Sequence, residues 1–266
     1  MLYQRKKIKS GKMLECFYYP VQKSGYALPC GRKQREAQAR YNAKKSGREL
    51  VQRVNANFDT GDIWMSPTFL PEKAPQSYED AVKILKRYFR RVAAWRRAHG
   101  LPALKYIYVI EQQIYKRGKF SGRSNWHYHI WMNTMPRDVA EDLWKDGERV
   151  NANSFQPERF GQEAAARYVT KAPKGTRRYV CSRNCVKPVV DEAKQINISS
   201  RKMQSMAETH CEDSAYWERQ FPGYYFCGLE KTWNEYNSRW YLRVAMRKIP
   251  EWKTKKSLKG CGKLNE

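Results

Sequence analysis

Residues 104–133 read LKYIYVIEQQIYKRGKFSGRSNWHYHIWMN and contain the strongest structural signal in the chain. Two runs rich in β-branched and aromatic residues flank a polar, glycine-containing segment, a pattern that predicts a long β-hairpin. Because side chains alternate between the two faces of a strand, residues two apart share a face. The predicted core face carries Tyr106, Tyr108, Ile110, Ile114, Trp126, Tyr128, Ile130 and Met132.

The opposite face of the predicted hairpin collects polar side chains. By the same alternation, Glu111 and Gln113 point to the side that His127 and His129 share on the second strand. In isolation a His-x-His pair is typical of ordinary sheet histidines, but a carboxylate on the same face makes a metal site the stronger interpretation. Gln113 competes with Glu111 as the third ligand. These donors suit Mn²⁺ or Mg²⁺ completed by a phosphate oxygen, and they also suit Fe²⁺ or Zn²⁺.

The composition indicates a folded protein that binds a polyanion. The 266 residues include 52 Lys and Arg against 26 Asp and Glu, a net charge of +26, and 41% are hydrophobic. This apolar share suffices for a core, and the positive charge favours nucleic acid as the partner. No run reaches the ~18 apolar residues of a membrane span, and the first residues lack a signal-peptide pattern. We therefore expect a cytoplasmic protein, and seven dispersed cysteines fit a reducing compartment.

Three regions are predicted along the chain. Residues 1–57 carry 14 Lys and Arg against 3 Glu and predict a basic arm with a helix from Arg32 to Val54, either facing DNA or merely solvated. Residues 58–190 are the predicted core, and residues 191–266 are an aromatic and basic extension that completes or covers it. The core elements besides the hairpin are a strand within 58–69, a helix from the capping Ser77 to Gly100, a short helix at 136–144, a strand within 147–155 and a helix at 158–171.

A second group of residues lies on the last of these helices. Tyr168 and Lys171 are three apart and therefore share one helical face. A tyrosine at this spacing most often packs in a core, but the surrounding positive charge favours contact with a nucleic-acid backbone. The basic residues assigned to DNA binding are Arg167, Lys174, Arg177, Arg178 and Arg183.

Several motifs, in order, resemble a known family. HYHIWMN at 127–133 resembles the histidine-hydrophobe-histidine motif, and RYVTK at 167–171 the Tyr-x-x-Lys motif, of the single-tyrosine HUH endonucleases. With NANFDTGDIWMSPTF at 55–69 and YIYVIEQQ at 106–113, they are similar to the rolling-circle replication initiators of plasmids, phages and integrative elements. The resemblance covers about residues 50 to 190. Pro67 and Phe69 depart from the family's first motif, and the segment between Glu111 and His127 is longer than usual.

The resemblance implies both a fold and a reaction. The fold is α+β, an HUH-type palm with a central antiparallel sheet of ferredoxin-like or RRM-like type and flanking helices. In the implied reaction Tyr168 attacks a phosphodiester in single-stranded origin DNA, leaving a 5′-phosphotyrosine link and a 3′-OH that primes replication. His127 and His129, with Glu111 or Gln113, would bind Mn²⁺ or Mg²⁺, and Lys171 would position Tyr168 or stabilise phosphate charge. The implied partners are the origin's hairpin or nick site, flanking duplex DNA and the replication machinery of a bacterial host.

The charge distribution and the motifs together predict different DNA-binding roles for two basic regions. Residues 167–202 hold 10 Lys and Arg against 2 acidic residues, so we expect them to guide the scissile strand while the N-terminal arm holds flanking DNA. On this basis, deletion of residues 1–48 should flatten the salt dependence of binding and spare cleavage of a short oligonucleotide.

Three alternative functions and one alternative metal site remain open. A conjugative relaxase or mobilisation nickase shares the reaction, and a metallohydrolase with metal-bound water would not need Tyr168. A non-catalytic basic nucleic-acid-binding protein accounts equally for the charge but poorly for the convergence of the acidic and histidine side chains. A zinc site is the fourth, although irregular spacing favours incidental thiols. Its ligands would be Cys181, Cys185, His210 and Cys211.

Overall fold

The computed structural model describes residues 2–21, 32–69, 73–114, 117, 121–122, 124–147, 150–154, 161, 178–235 and 237–250. Its contacts divide the chain into two compact units. We call them the histidine unit, Cys30–Glu158 with Gln162–Lys187, and the terminal unit, Met1–Pro29 and Arg159–Gly161 with Pro188–Glu266. Each contains an antiparallel sheet and helices, so the predicted α+β class is confirmed. No helix in the described ranges is long and apolar enough to cross a membrane.

The described ranges contain eleven strands and five helices. The strands are β1 Leu2–Ser10, β2 Met13–Pro20, β3 Ile63–Met65, β4 Tyr106–Ile114, β5 Ser124–Met132, β6 Ala152–Ser154, β7 Val180–Cys181, β8 Val189–Val190, β9 Lys194–Asn197, β10 Tyr224–Asn234 and β11 Arg239–Lys248. The helices are α1 Arg32–Asn57, α2 Tyr78–Ala98, α3 Arg137–Asp142, α4 Ser200–Glu208 and α5 Ser214–Gln220. Within the helix expected at 158–171 only Gly161 is described, and its φ of 69° is not α-helical, so the prediction is wrong at that position. The other residues of that helix lie outside the described ranges.

The predicted hairpin is confirmed and forms the middle of the histidine unit's sheet. The strand order is β6-β3-β5-β4-β7, and every pair is antiparallel. The predicted core face is buried in one cluster with residues of α2 and α3. Ile114 is the exception at 60% exposure, because it is the last residue of β4 and lies at the open end of the hairpin opposite Ser124.

The helix predicted from Ser77 is confirmed as α2. The Ser77 hydroxyl accepts a hydrogen bond from the Asp80 backbone N–H at 3.1 Å, which satisfies one of the orphan donors of the first turn. The apolar stripe turns inward, and the hydroxyl of the buried Tyr88 donates to the carbonyl of Ala140 in α3 at 3.0 Å. The predicted short helix at 136–144 is also confirmed, as α3. The strand expected within 58–69 shrinks to β3, which ends before Pro67 because proline offers no N–H to a ladder.

The second face of this sheet is also covered, a feature that the charge of α1 conceals. The last turns of α1 bury an apolar stripe against β4 and β5, so the helix is not merely solvated or DNA-facing. Its upstream turns are exposed at Lys44 and Lys45, where the expectation of a charged surface holds. We call the buried group the α1 cluster, and its members are Leu50, Val51, Val54, Phe58, Ile107, Val109 and Trp131.

The terminal unit joins both ends of the chain in a second sheet. The order is β10-β11-β2-β1-β8, and β9 also pairs with β1. The last strand expected at 240–246 is confirmed as β11, which pairs with β2 from Leu242 to Arg247. Helices α4 and α5 cover one face of this sheet, where Met203, Met206 and Trp217 are buried with the sheet residues.

The contacts therefore divide the chain differently from the predicted regions. Residues 1–57 are not one arm, because β1 and β2 are inner strands of the terminal sheet whereas α1 belongs to the histidine unit. Residues after 190 build their own core with β1 and β2. Only the predicted boundary at 190 lies close to an observed one, between Lys187 and Pro188.

Candidate active site

The register of the hairpin brings three polar side chains to one face of the sheet. Glu111 on β4 lies directly opposite His127 on β5, and Val109 lies opposite His129. Directly opposed residues have Cβ atoms about 4.5–5.5 Å apart, and the diagonal neighbour is still within reach of a long side chain. Glu111 and His129 are buried, at 7% and 6% exposure, while His127 is half-buried.

His129 is held between two elements. Its Nε2 atom lies 3.5 Å from Glu111 Oε2, and its Nδ1 atom lies 3.1 Å from the hydroxyl oxygen of Ser66. A hydroxyl can donate to Nδ1 or accept from it, so Ser66 is compatible with either neutral tautomer of the ring. When Nε2 carries the proton, it can donate toward Glu111; when Nδ1 carries it, the lone pair of Nε2 can bind a metal ion.

Sequence reasoning missed Ser66, although a signal was present. β3 pairs with β5 so that Met65 lies opposite Ile130, and the next pair along this register is Ser66 with His129. In the sequence, the only sign of this contact is a polar residue directly after the apolar IWM of β3. The contact with His129 can be predicted from it only when the pairing of β3 with β5 is known.

The surroundings favour neutral imidazoles at these positions. Burial lowers the pKa of His127 below its usual value, and the negative charge of Glu111 opposes that shift only in part. Burial likewise lowers the pKa of His129, against the charge and the hydrogen bond of Glu111. Both shifts favour the neutral imidazole, which is the form that binds metal ions.

The polar site borders the α1 cluster. Along this face of β4, the positions Ile107 and Val109 are buried in that cluster, and Glu111 is the next residue on the same face. On β5 the same change occurs between Trp131, which is fully buried, and His129. An apolar wall on one side lowers the local polarisability and so strengthens electrostatic interactions at the acidic and histidine side chains.

The donor chemistry fits a divalent ion, but the side chains as they stand do not form a finished site. No group of three or more His, Cys, Asp or Glu side chains in the described part of the chain is arranged to hold a metal ion. His129 Nε2 and Glu111 Oε2 lie 3.5 Å apart, a separation that two ligands of one ion can have. Two neutral imidazoles and a carboxylate are suitable ligands for Mn²⁺ or Mg²⁺ with open positions for a phosphate.

The remaining predicted site residues divide into two groups. The Gln113 backbone pairs with Asn125, and its side chain lies outside the described residues. Five residues lie wholly outside them, so their predicted roles stay predictions: Tyr168, Lys171, Arg167, Lys174 and Arg177.

Arg178 and Arg183 flank β7 at the edge of the sheet. The Arg178 guanidinium donates to the carbonyl of Asn42 in α1 at 3.2 Å, so it joins β7 to that helix, and Arg183 is exposed. β7 is antiparallel to β4, with Val180 opposite Tyr108. The chain therefore approaches β7 from the end of β4 that carries Glu111.

The cysteines of the proposed zinc ligands have local partners. Cys185 lies 3.3 Å from the Ser182 hydroxyl and 3.4 Å from the Tyr106 carbonyl, in the loop after β7. His210 contacts the Asp213 carboxylate at 2.9 Å and stacks on Tyr216. Cys181 and Cys185 belong to the histidine unit, whereas His210 belongs to the terminal unit.

Comparisons with known proteins add no relative. No protein-family model matches the chain, and searches of the curated proteins and of the solved structures found no match.

Proposed function

We propose that this chain is a metal-dependent, single-strand-specific DNA nickase and strand transferase that initiates rolling-circle replication. The observation that carries the proposal is the convergence of Glu111, His127 and His129 on one face of an antiparallel hairpin, fixed by its register. Burial of a carboxylate and an imidazole costs desolvation free energy even when the two are paired, and a metal-binding role gives a reason for that cost.

Two further features support a nucleic-acid substrate. The net charge of +26 provides the field that attracts a phosphate backbone. The chain also enters β7 from the Glu111 end of β4, and Tyr168 precedes the described Arg178 by ten positions. Tyr168 is therefore close in sequence to β7, an edge strand of the sheet that carries the histidines.

The proposed reaction is a transesterification. The Tyr168 oxygen forms a bond to phosphorus, the bond from phosphorus to the 3′ oxygen breaks, and the departing oxygen takes up a proton to become the 3′-OH. The phenol loses its proton in the same step, which Lys171 assists by stabilising negative charge. Because one ester replaces another, the reverse reaction rejoins the strand without a further energy source.

The residues of the histidine unit would prepare the phosphate for attack. A divalent ion bound by His127, His129 and Glu111 would polarise the scissile phosphate. Ser66 orients the ring of His129, and the apolar wall of the α1 cluster limits the access of water from one side. A side chain that is fixed before the substrate arrives loses less entropy in the reaction.

The test is the formation of a covalent protein–DNA complex. The full-length chain is incubated with Mn²⁺ and 3′-labelled single-stranded oligonucleotides that tile the replicon's origin, since the 5′-phosphotyrosine link retains the 3′ fragment. We expect a labelled band on a denaturing protein gel that EDTA abolishes. Tyr168→Phe should remove the band, and Tyr41→Phe, an exposed tyrosine on α1, is the matched control.

Each other outcome rules out one residue assignment or indicates a different function. A band that persists in Tyr168→Phe rules out this nucleophile, and nicking that survives the double change of His127→Ala and His129→Ala rules out the metal ligands. Cleavage without any covalent band indicates a metallohydrolase that uses water. Tight, salt-sensitive binding with no cleavage under any divalent ion indicates a non-catalytic binding protein.

A further inference from the structure

The terminal unit contains a pocket at the tip of the β10–β11 hairpin. Its volume is about 310 Å³, at the lower end of the range of small-molecule sites. It is lined by aromatic, charged and amide side chains from three elements, β1, α4 and the hairpin. The principal lining residues are Tyr3, Gln204, Glu208, Trp233, Arg239 and Trp240.

The pocket lies where the apolar face of the hairpin runs past its helical cover. Successive cross-strand pairs on this face are Leu229 with Val244, Lys231 with Leu242, and Trp233 with Trp240. Val244 and Leu242 are buried in the core with α4 and α5, whereas Trp233 is 46% exposed. A large apolar side chain left open at a concave surface marks a binding site more often than an isolated surface residue does.

The two indoles have the geometry of a stacking platform. Their ring centroids are 5.1 Å apart and the planes cross at 63°, so one indole meets the other edge-on and the two rings do not stack face to face. The Lys231 ammonium donates to the carbonyl of Ala207 at 2.8 Å, which ties β10 to the end of α4 beside this platform. An exposed, supported indole is suited to stack on a flat aromatic ligand.

The polar lining indicates which flat ligand fits. Gln204 donates to Glu208 at 3.0 Å along α4, so an amide and a carboxylate edge are available beside the indoles. Burial raises the pKa of the Tyr3 phenol, and the positive charge of the nearby Arg239 opposes that shift. Donors and acceptors beside a stacking surface match the edge of a nucleobase, and a guanidinium matches its phosphate.

We propose that this pocket binds one unpaired nucleobase of a DNA single strand, with Trp233 as the stacking platform and Arg239 facing the adjacent phosphate. The inference rests on the proposed function for the identity of the polymer. It adds a second contact point for the strand, built in the terminal unit from residues that the nicking reaction does not use. A quaternary ammonium ligand, which also favours indoles, is disfavoured by the guanidinium and by the net charge of +26.

The test measures binding of the full-length chain to two fluorescent oligonucleotides in EDTA, which prevents cleavage. One is oligo(dT) and the other is an abasic strand of equal length with the same phosphates. We expect Trp233→Ala to weaken oligo(dT) binding about tenfold, the loss of one stacked base, and to leave abasic binding unchanged. Trp233→Phe should retain most of the affinity, and Leu101→Ala, an exposed apolar residue outside every proposed DNA contact, should have no effect.

Three results would overturn the inference: equal affinity of Trp233→Ala and wild type for oligo(dT), an equal loss on the abasic strand, or saturable quenching of the indole fluorescence by choline but not by oligo(dT). The covalent-complex assay separates this inference from the proposed function. If the pocket does not bind a nucleobase, Trp233→Ala still forms the Tyr168 complex and binds oligo(dT) as tightly as wild type does. If the nicking proposal is wrong, no complex forms with any variant, and the base-dependent loss in Trp233→Ala is still observed.

Discussion

Ser66→Ala is the sharpest test of the candidate site, because it removes one oxygen atom and leaves every proposed ligand in place. The hydroxyl oxygen lies 3.1 Å from His129 Nδ1, and His129 is only 6% exposed. If Ser66 fixes this ring, its loss should weaken metal binding and metal-dependent cleavage without unfolding the protein.

The magnitude follows from what remains around the ring. A net hydrogen bond contributes about 0.5–1.5 kcal/mol to stability, so we expect a loss of about 1 kcal/mol in the free energy of unfolding. Residues that orient a metal-binding histidine typically contribute about 10- to 100-fold in metal affinity or activity. Glu111 still contacts Nε2 at 3.5 Å after the change, so the ring keeps one partner and we expect the lower end, about tenfold.

The assay combines two measurements on the same preparations. Mn²⁺ affinity is obtained by isothermal titration calorimetry, and stability by urea unfolding. Ser77→Ala is the matched control, since it removes the cap of α2 in the same unit and should also cost about 1 kcal/mol. Ser66→Thr retains a hydroxyl and should restore part of the affinity.

The two serine variants should differ in Mn²⁺ affinity if the reasoning is right, and should behave alike if it is wrong. We expect Ser66→Ala to bind Mn²⁺ about tenfold more weakly than wild type, and Ser77→Ala to bind it unchanged. Equal Mn²⁺ affinity in both variants and wild type would refute the role of Ser66. An equal decrease in both would show that the effect arises from lost stability and not from the orientation of His129.

Three further predictions concern stability. Trp131→Ala should lower the free energy of unfolding by about 3–5 kcal/mol, measured in urea, because the fully buried indole fills the α1 cluster. The free energy of unfolding should be highest above about pH 6.5 and should fall in acid, because the pKa values of His127 and His129 are lowered in the folded state and the unfolded chain therefore binds protons first. Urea midpoints measured across this pH range test the direction of the change, and their pH dependence should be weaker when both histidines are changed to Asn. Ser238→Gly should raise the thermal midpoint, since Ser238 has φ 47°, a left-handed conformation that costs about 1–2 kcal/mol for an L-residue.

Local periodicity predicted the elements whose partners are close in sequence. The hairpin at 104–133 and helix α2 follow directly from the spacing of their apolar residues and from the cap at Ser77. The terminal sheet does not, because β1 reads LYQRKKIKS and its lysines hide the alternation. Lys7 lies on the face that the helices cover, and its ammonium is 5.5 Å from the ring centroid of Phe221. A cation over an aromatic ring lets a charged residue occupy an apolar face, which no hydropathy pattern indicates.

Two parts of the candidate site depend on pairings that the sequence does not contain. The contact of Ser66 with His129 requires β3 to lie beside β5 in one particular register, although 63 residues separate them. The burial of Leu50, Val51 and Val54 requires a sheet face to receive them, and in a helix so rich in Lys and Arg three apolar residues predict little alone. Both are tertiary facts, whereas the convergence of Glu111 and His127 follows from a single hairpin.

The positions of β1, β2 and α1 also change how the N-terminal charge should be tested. Deletion of residues 1–48 would remove two inner strands of the terminal sheet and most of α1, so lost binding could not be separated from lost structure. Neutralisation of exposed charge avoids this difficulty. Lys44 and Lys45 are exposed on α1, upstream of the stripe that packs on the sheet.

The double variant Lys44→Gln with Lys45→Gln should therefore fold normally and bind DNA with a weaker salt dependence. If both ammonium groups contact phosphates of a single strand, the slope of log K against log salt concentration should fall by about 1.4, which is about 0.7 for each contact. Fluorescence anisotropy with an oligonucleotide across a salt series measures that slope, and Lys83→Gln, an exposed lysine of α2 that pairs with Asp80, is the matched control. An unchanged slope would mean that the exposed turns of α1 only solubilise the protein, and the phosphate contacts would then have to be sought elsewhere, first beside Arg178 and Arg183.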